Sequence, residues 1–153
     1  MATSSSLKIL LDLAQRRADT AAKELGRLNS HQQEAEKKLN LLLQYRQSYQ
    51  AHFQAAMEQG SDQVGWSNFN AFMNKLDAAV AEQRLAVSYA QKKREVCAEE
   101  FLSCQRKLKS YDTLVLRQQA ALDQKQIKHE QKLQDEFALN ALLRSSFSAE
   151  NDE

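Results

Sequence analysis

The chain has 153 residues with no proline, three glycines and one tryptophan, while 27% of its residues are charged and 18 are glutamines. Because β-sandwiches and α/β folds need frequent turn residues, this composition excludes both classes and favours long helices. With 21 lysines and arginines against 20 acidic residues, the net charge of +1 provides no overall field that would attract nucleic acid or an anionic membrane.

The sequence contains no targeting or membrane-spanning signal. Residues 1–6 carry no basic stretch ahead of an apolar one, and no apolar run approaches the ~18–20 residues that cross a bilayer. A soluble protein that is not exported is therefore expected. Cys97 and Cys104 lie on one predicted helix, about 10.5 Å apart along its axis, which is too far for a disulfide and fits a reducing compartment.

The first predicted helix covers about residues 5–58. The serines at 4–6 offer an N-cap for it. Alternating steps of four and three residues from Leu7 reach 15 positions before Gly60, and 13 of these positions are apolar. The exceptions are Gln32 and Arg46. Such a sustained heptad repeat predicts one helix of a coiled coil.

A loop is predicted over about residues 59–66, which hold two of the three glycines. The second predicted helix follows over about residues 67–143, with Ser67 or Asn68 as its N-cap. Heptad steps from Phe69 reach 16 positions, of which 13 are apolar. The second helix therefore carries an apolar seam as long as that of the first.

Two heptad helices joined by a short loop predict an all-α fold, a long antiparallel two-helix coiled coil whose second helix is the longer. Residues 1–144 are expected to form this hairpin as a single domain. Two registers fit, in which the numbers of paired residues add up to 129 or to 122. The first is preferred because it places Arg46 beside Gln83 and packs small against large side chains, as in Ala18 beside Tyr111.

The heptad pattern ends after Leu122, where the first helix has no residues left to pair with the second. The segment that follows is still apolar, with Leu133, Phe137 and Leu142 among its side chains, so we expect it to bind another protein. Residues 145–153 contain three acidic residues and no periodicity, which predicts a disordered acidic tail.

No set of residues has the spacing of a catalytic or metal site. His31, His52 and His129 are scattered along the chain, and Cys97 and Cys104 fall on seam positions, where cysteine acts as a small buried hydrophobe. A two-helix hairpin also lacks an enclosed cavity for a reaction. The sequence therefore predicts a protein that is not an enzyme, with no cofactor and no small-molecule substrate.

Two basic clusters, at residues 92–94 and 106–109, alternate with glutamates such as Glu95 and Glu99. They indicate either a solvated face of mixed charge or a patch that meets an acidic partner.

Beside the seam, Phe72, Ala79 and Ala86 occupy g positions, where most coiled coils carry charged residues. This part of the second helix thus has a wider apolar stripe than one partner helix covers. Either Phe72 folds over the seam next to Tyr49 or Phe53, or it is an exposed anchor for a partner.

Several short features also occur in a characteristic order and spacing: Leu-Leu-Asp-Leu-Ala at residues 10–14, Tyr45 and Tyr49, Trp66, residues 68–72 followed by Leu76, and Asp-Glu-Phe-Ala at residues 135–138. With the total length, they make residues 7–144 resemble the FliJ family of the bacterial flagellar type III export apparatus.

The resemblance implies a stalk-like coiled coil that binds the export ATPase ring, contacts the cytoplasmic region of the export gate protein FlhA and interacts with export chaperones. The gate contact implied by the family falls on Phe72, Leu76, Ala79 and Gln83, the last standing where some relatives have histidine. The ATPase contact is implied at the end that holds both termini, and its candidates are Leu133, Phe137 and Leu142.

The resemblance further implies a role in flagellum assembly and motility. It places the protein in the cytoplasm, peripherally associated with the cytoplasmic side of the inner membrane at the flagellar base. The hairpin would be a monomer when free and would bind no nucleic acid. The alternative is a structural coiled-coil rod or homodimer without an export role, which the same heptads would support.

Overall fold

A computed structural model describes residues 2–60 and 63–151. Over this range the chain forms two helices, α1 over Ala2–Glu58 and α2 over Gln63–Glu150, and no strand. The helices pack against each other, which confirms the predicted all-α hairpin with a longer second helix. Neither helix is interrupted, because no proline occurs, and Gly26, the glycine inside α1, costs about 1 kcal/mol, too little to break a helix of 57 residues.

The connection between the helices is shorter than the predicted loop. α1 ends at Glu58, where the amides of Gln59 and Gly60 donate to carbonyls three residues earlier, at 3.2 and 3.1 Å. Gly60 has a φ of 87°, a left-handed conformation that favours glycine. α2 already begins at Gln63, so the N-cap predicted at Ser67 or Asn68 was wrong. Of the predicted loop, residues 61 and 62 lie outside the described range.

Both ends of the hairpin extend further than predicted. α1 begins at Ala2, so the serines expected to cap it lie inside the helix. α2 continues to Glu150, and residues 145–150, predicted to be disordered, are helical. No proline or glycine follows Gly65 to end the helix. In addition, the hydroxyls of Ser145, Ser146 and Ser148 donate to carbonyls three residues earlier at 2.8–2.9 Å, a local bond compatible with a helix.

The chain divides into two units. We call Arg16–Arg106 the hairpin unit and Met1–Gln15 with Lys107–Glu153 the terminal unit. The expectation that residues 1–144 act as one domain stays a prediction.

In the hairpin unit the buried side chains are those that the heptad repeat predicts. They are Ala18, Leu28 and Ala35 from α1 and Met73, Leu76, Val80, Val87, Ala90 and Cys97 from α2. Burial of a large aliphatic side chain contributes about 1.5–3 kcal/mol, so this apolar seam is the main source of stability within the unit. No side chain described as buried is polar or charged.

Contacts across the hairpin unit set the register. The Phe53 ring stacks on Phe69 with 3.7 Å between centroids, and Arg46 Nε donates to Asp77 Oδ1 at 2.6 Å. Both contacts fit the register in which paired numbers add up to 122. The preferred register was therefore wrong, since Arg46 does not face Gln83. The physical reason is the short connection: with only residues 59–62 between the helices, facing residues lie equally far from that midpoint.

The terminal unit contains the end of the seam and a long unaccompanied stretch of α2. Half-buried positions continue the heptads as far as Gln118, and Ala14 of α1 is buried. From Gln119 to Asn151, every described residue is exposed. This confirms that the seam ends near Leu122. In the described part of the chain, no helix has a stretch long and apolar enough to span a membrane.

Candidate protein-interaction surfaces

Four aromatic side chains form a cluster close to the connection between the helices. Tyr49 lies 4.4 Å from Phe72 and 5.7 Å from Phe69, measured between ring centroids, and Phe69 stacks on Phe53. Phe72 is at the edge of this aromatic cluster and keeps 36% of its surface exposed. The ring therefore packs against Tyr49, as the first interpretation of Phe72 predicted, and part of it remains exposed. Its role as an anchor for a partner stays a prediction.

The four residues predicted to contact the export gate lie three or four positions apart, so they share one side of α2. Their environments differ. Leu76 is buried against α1, whereas Ala79 is half-buried. Gln83 is half-buried, and its Nε2 donates to the backbone carbonyl of Ala35 at 3.0 Å. Phe72 is thus the member of this set most available to a partner.

The predicted ATPase-contact residues lie in the exposed end of α2. Leu133 and Phe137 are four residues apart and share a helical face, and Phe137 is 79% exposed. Leu142 is also exposed, but at about 100° per residue it lies roughly 140° around the helix from Phe137. The structure therefore places Leu133 and Phe137 together and Leu142 apart from them.

Three further side chains belong to the face of Leu133 and Phe137. Leu122, Leu143 and Phe147 are exposed and fall within the same sector of about 120°. Sequence reasoning missed Phe147 because it assigned this residue to the disordered tail. The available signal was the absence of any helix-breaking residue after Gly65. We call Leu122, Leu133, Phe137, Leu143 and Phe147 the C-terminal apolar face.

Cys97 is a buried seam residue, as the heptad position predicted. Its Sγ lies 4.0 Å from the backbone carbonyl oxygen of Ala21, and burial raises the pKa of its thiol, with Glu100 and Glu24 adding to the effect. Cys104 is half-buried, and neither cysteine is in a disulfide.

Across residues 2–60 and 63–151, no group of three His, Cys, Asp or Glu side chains is arranged to hold a metal.

Cys97 is expected to resist alkylation by iodoacetamide at pH 8, whereas Cys104 reacts. Burial limits access of the reagent, and the raised folded-state pKa of Cys97 leaves less reactive thiolate at pH 8. The same shift means that the neutral thiol favours the fold below the unfolded-state pKa, and this contribution is lost as the pH rises through the folded-state pKa. Mass spectrometry of the alkylated protein measures both sites, and unfolding in urea should make them react alike. Equal modification in the folded protein would contradict the burial of Cys97.

Two helices with a shared seam, an aromatic edge and an unaccompanied apolar face define an α-helical coiled-coil protein suited to binding other proteins. A family model described as the flagellar FliJ protein matches residues 3–146, and the chain belongs to this family. It is 31% identical over 144 residues to the flagellar FliJ protein of Salmonella typhi, covering 94% of this chain and 98% of that relative. The flagellar FliJ protein of Escherichia coli (strain K12) is 28% identical with the same coverage.

Proposed function

We propose that this flagellar protein is a non-enzymatic component of the type III export apparatus, which binds the export ATPase ring and links it to the export gate protein FlhA. The observation that carries the proposal is the exposure of the C-terminal end of α2. Every described residue from Gln119 to Asn151 is exposed, and the C-terminal apolar face supplies five large apolar side chains there.

An exposed face of this size is costly in water and favours association. Each large apolar side chain that becomes fully buried contributes about 1.5–3 kcal/mol to the free energy of binding. Burial of all five side chains would therefore contribute several times as much as a single hot-spot residue. We assign the C-terminal apolar face to the ATPase ring, with Leu133 and Phe137 at its centre. Leu142 points elsewhere and would contact the ring only if the ring surrounds the helix.

We assign the gate contact to the outer edge of the aromatic cluster. Phe72 is the anchor, because its ring is held against Tyr49 and is still partly exposed. Ala79 borders the same side of α2. Leu76 and Gln83 would act through the seam, since one is buried there and the other bonds to the backbone of α1.

The remaining parts of the proposal rest on membership of the family and on the closed seam. The protein would work in the cytoplasm at the inner-membrane face of the flagellar base and would interact with export chaperones. It would be a monomer when free, because the apolar seam of the hairpin unit is already covered within one chain. Light scattering tests this point, since a dimer would favour the alternative of a structural rod without an export role.

Deleting residues 123–153 tests the proposal as a whole. The deleted segment includes only exposed residues among those described, so the helical signal of the remaining chain and its melting transition should persist. Binding to purified export ATPase should be lost, binding to the FlhA cytoplasmic region should remain, and the variant should fail to restore motility to a strain without its own copy. A truncated protein that binds the ATPase normally would overturn the assignment.

A further inference from the structure

A second apolar stripe runs along α2 outside the seam. Leu85, Tyr89 and Val96 are 72%, 62% and 58% exposed. They lie four and seven residues apart, so they share one helical face, whereas Val87 and Ala90 between them are buried against α1. We call these three exposed residues the lateral stripe. The spacing is that of a second heptad seam, and α1 covers only the first.

The lateral stripe borders a groove between the two helices of the hairpin unit. Tyr89 and Val96 form one wall of the groove, while Glu24 and Arg27 of α1 contribute to the other. Cys97, which is buried, lies among the residues at its base. The groove has a volume of about 430 Å³. An apolar groove between two helices is a common site for a third, amphipathic helix.

Charges around the groove favour an acidic occupant. The residues that line the groove carry three cations, Arg27, Lys92 and Lys93, and two carboxylates, Glu24 and Glu100. Among the described residues, neither Lys92 nor Lys93 takes part in an ion pair, and the Lys93 ammonium lies 4.8 Å from the centroid of the Tyr89 ring. A carboxylate docking here could therefore pair with Lys92 and Lys93, of which Lys93 already acts on Glu24 at longer range.

The other charged residues of the groove are Glu24, Arg27 and Glu100. Arg27 is paired with Glu24 at 2.6 Å, and this hydrogen bond lowers the pKa of the Glu24 carboxyl. The charge of Lys93 on α2 also lowers this pKa, so Glu24 interacts with cations of both helices. Glu100 is the one further carboxylate that lines the groove. With three cations and two carboxylates, the groove lining has a net charge of +1, and its cations on α2 are Lys92 and Lys93.

We propose that the lateral stripe and its groove bind an acidic amphipathic helix of a partner protein, completing a local three-helix coiled coil. Apolar side chains of that helix would cover Tyr89 and Val96, and its flanking carboxylates would pair with Lys92 and Lys93. A second copy of this chain fits less well, because a symmetric contact would bring the same cations of both copies together. The surface is separate from the ring and gate contacts proposed above.

The probe for this proposal is a synthetic three-heptad helix with leucine at the seam positions and glutamate beside them. A matched peptide carries lysine in place of glutamate. The full-length chain should bind the acidic peptide at low salt and bind the basic one at least about tenfold more weakly. Fluorescence anisotropy with a labelled peptide, at concentrations where the peptide is monomeric, measures both affinities.

Variants locate the binding. Replacing Tyr89 and Val96 by serine should weaken the acidic peptide by at least about tenfold, because two exposed anchors are removed. The matched control is Leu41→Ser with Leu116→Ser, two exposed leucines outside the groove, which should bind normally. Replacing Lys92 and Lys93 by glutamate should reverse the preference between the two peptides.

Three results would overturn the proposal. The first is equal affinity for the acidic and basic peptides, or no binding of either. The second is unchanged binding by the Tyr89 and Val96 variant when its circular dichroism matches that of the parent. The third is a parent protein that dimerises in sedimentation experiments while this variant does not, since the occupant would then be a second copy of the chain.

Discussion

Replacing Leu133 and Phe137 together by aspartate is expected to abolish binding to the export ATPase ring while leaving the melting transition unchanged. Both side chains are exposed and share one helical face, so the substitution removes no contact with α1. In a ring contact, two carboxylates would instead be buried without partners, at a cost of several kcal/mol. We expect the affinity to fall by at least about 100-fold, measured by co-sedimentation with the purified ATPase.

The same segment offers a matched control. Gln124 and Gln131 lie on the opposite face of α2, at about 100° per residue, and both are exposed. Replacing them by aspartate introduces the same two charges and should leave ring binding within about twofold of the parent. Leu142 lies on the same side of α2 as these glutamines, so weakened binding by Leu142→Asp is expected only if the ring surrounds the helix. If both double variants lose binding equally, then net charge rather than the C-terminal apolar face decides the interaction.

Replacing Leu76 by aspartate is expected to unfold the hairpin unit, whereas replacing Phe72, one turn earlier, is expected to spare it. Leu76 is 8% exposed and faces α1, so a carboxylate there costs more than about 3 kcal/mol through lost burial and desolvation. Phe72→Asp removes mainly the contact with Tyr49, which predicts a loss below about 1.5 kcal/mol. Thermal melting followed by circular dichroism distinguishes the two variants.

The folded Phe72→Asp variant then tests the gate contact. It should bind the FlhA cytoplasmic region at least about tenfold more weakly and should restore motility poorly. Asn74→Asp introduces the same charge at an exposed position of the same helix and serves as the control. A Phe72→Asp protein that unfolds would make the aromatic cluster structural only, and one that binds and swims normally would remove Phe72 from the contact.

Heptad periodicity alone was sufficient to predict the fold class and the side chains of the core. Thirteen apolar positions on each side of the connection predict a two-helix seam. From Leu28 to Cys97 these positions are buried or half-buried, with the exceptions of Tyr49 and Ala56, which are exposed. The same periodicity located the end of the seam, because it fails where α1 has no residues left to contribute. Burial of an apolar stripe is a local property of each helix, and a single sequence contains it.

Register and exposure were decided only in the tertiary structure. The two candidate registers differ by seven residues, one heptad, so both bring apolar positions together and the pattern cannot separate them. The short connection after Glu58 and the stacking of Phe53 on Phe69 select one. Burial within the candidate gate contact likewise depends on the facing helix: Leu76 and Phe72 are both apolar in sequence, and only the position of α1 makes one core and leaves the other partly exposed.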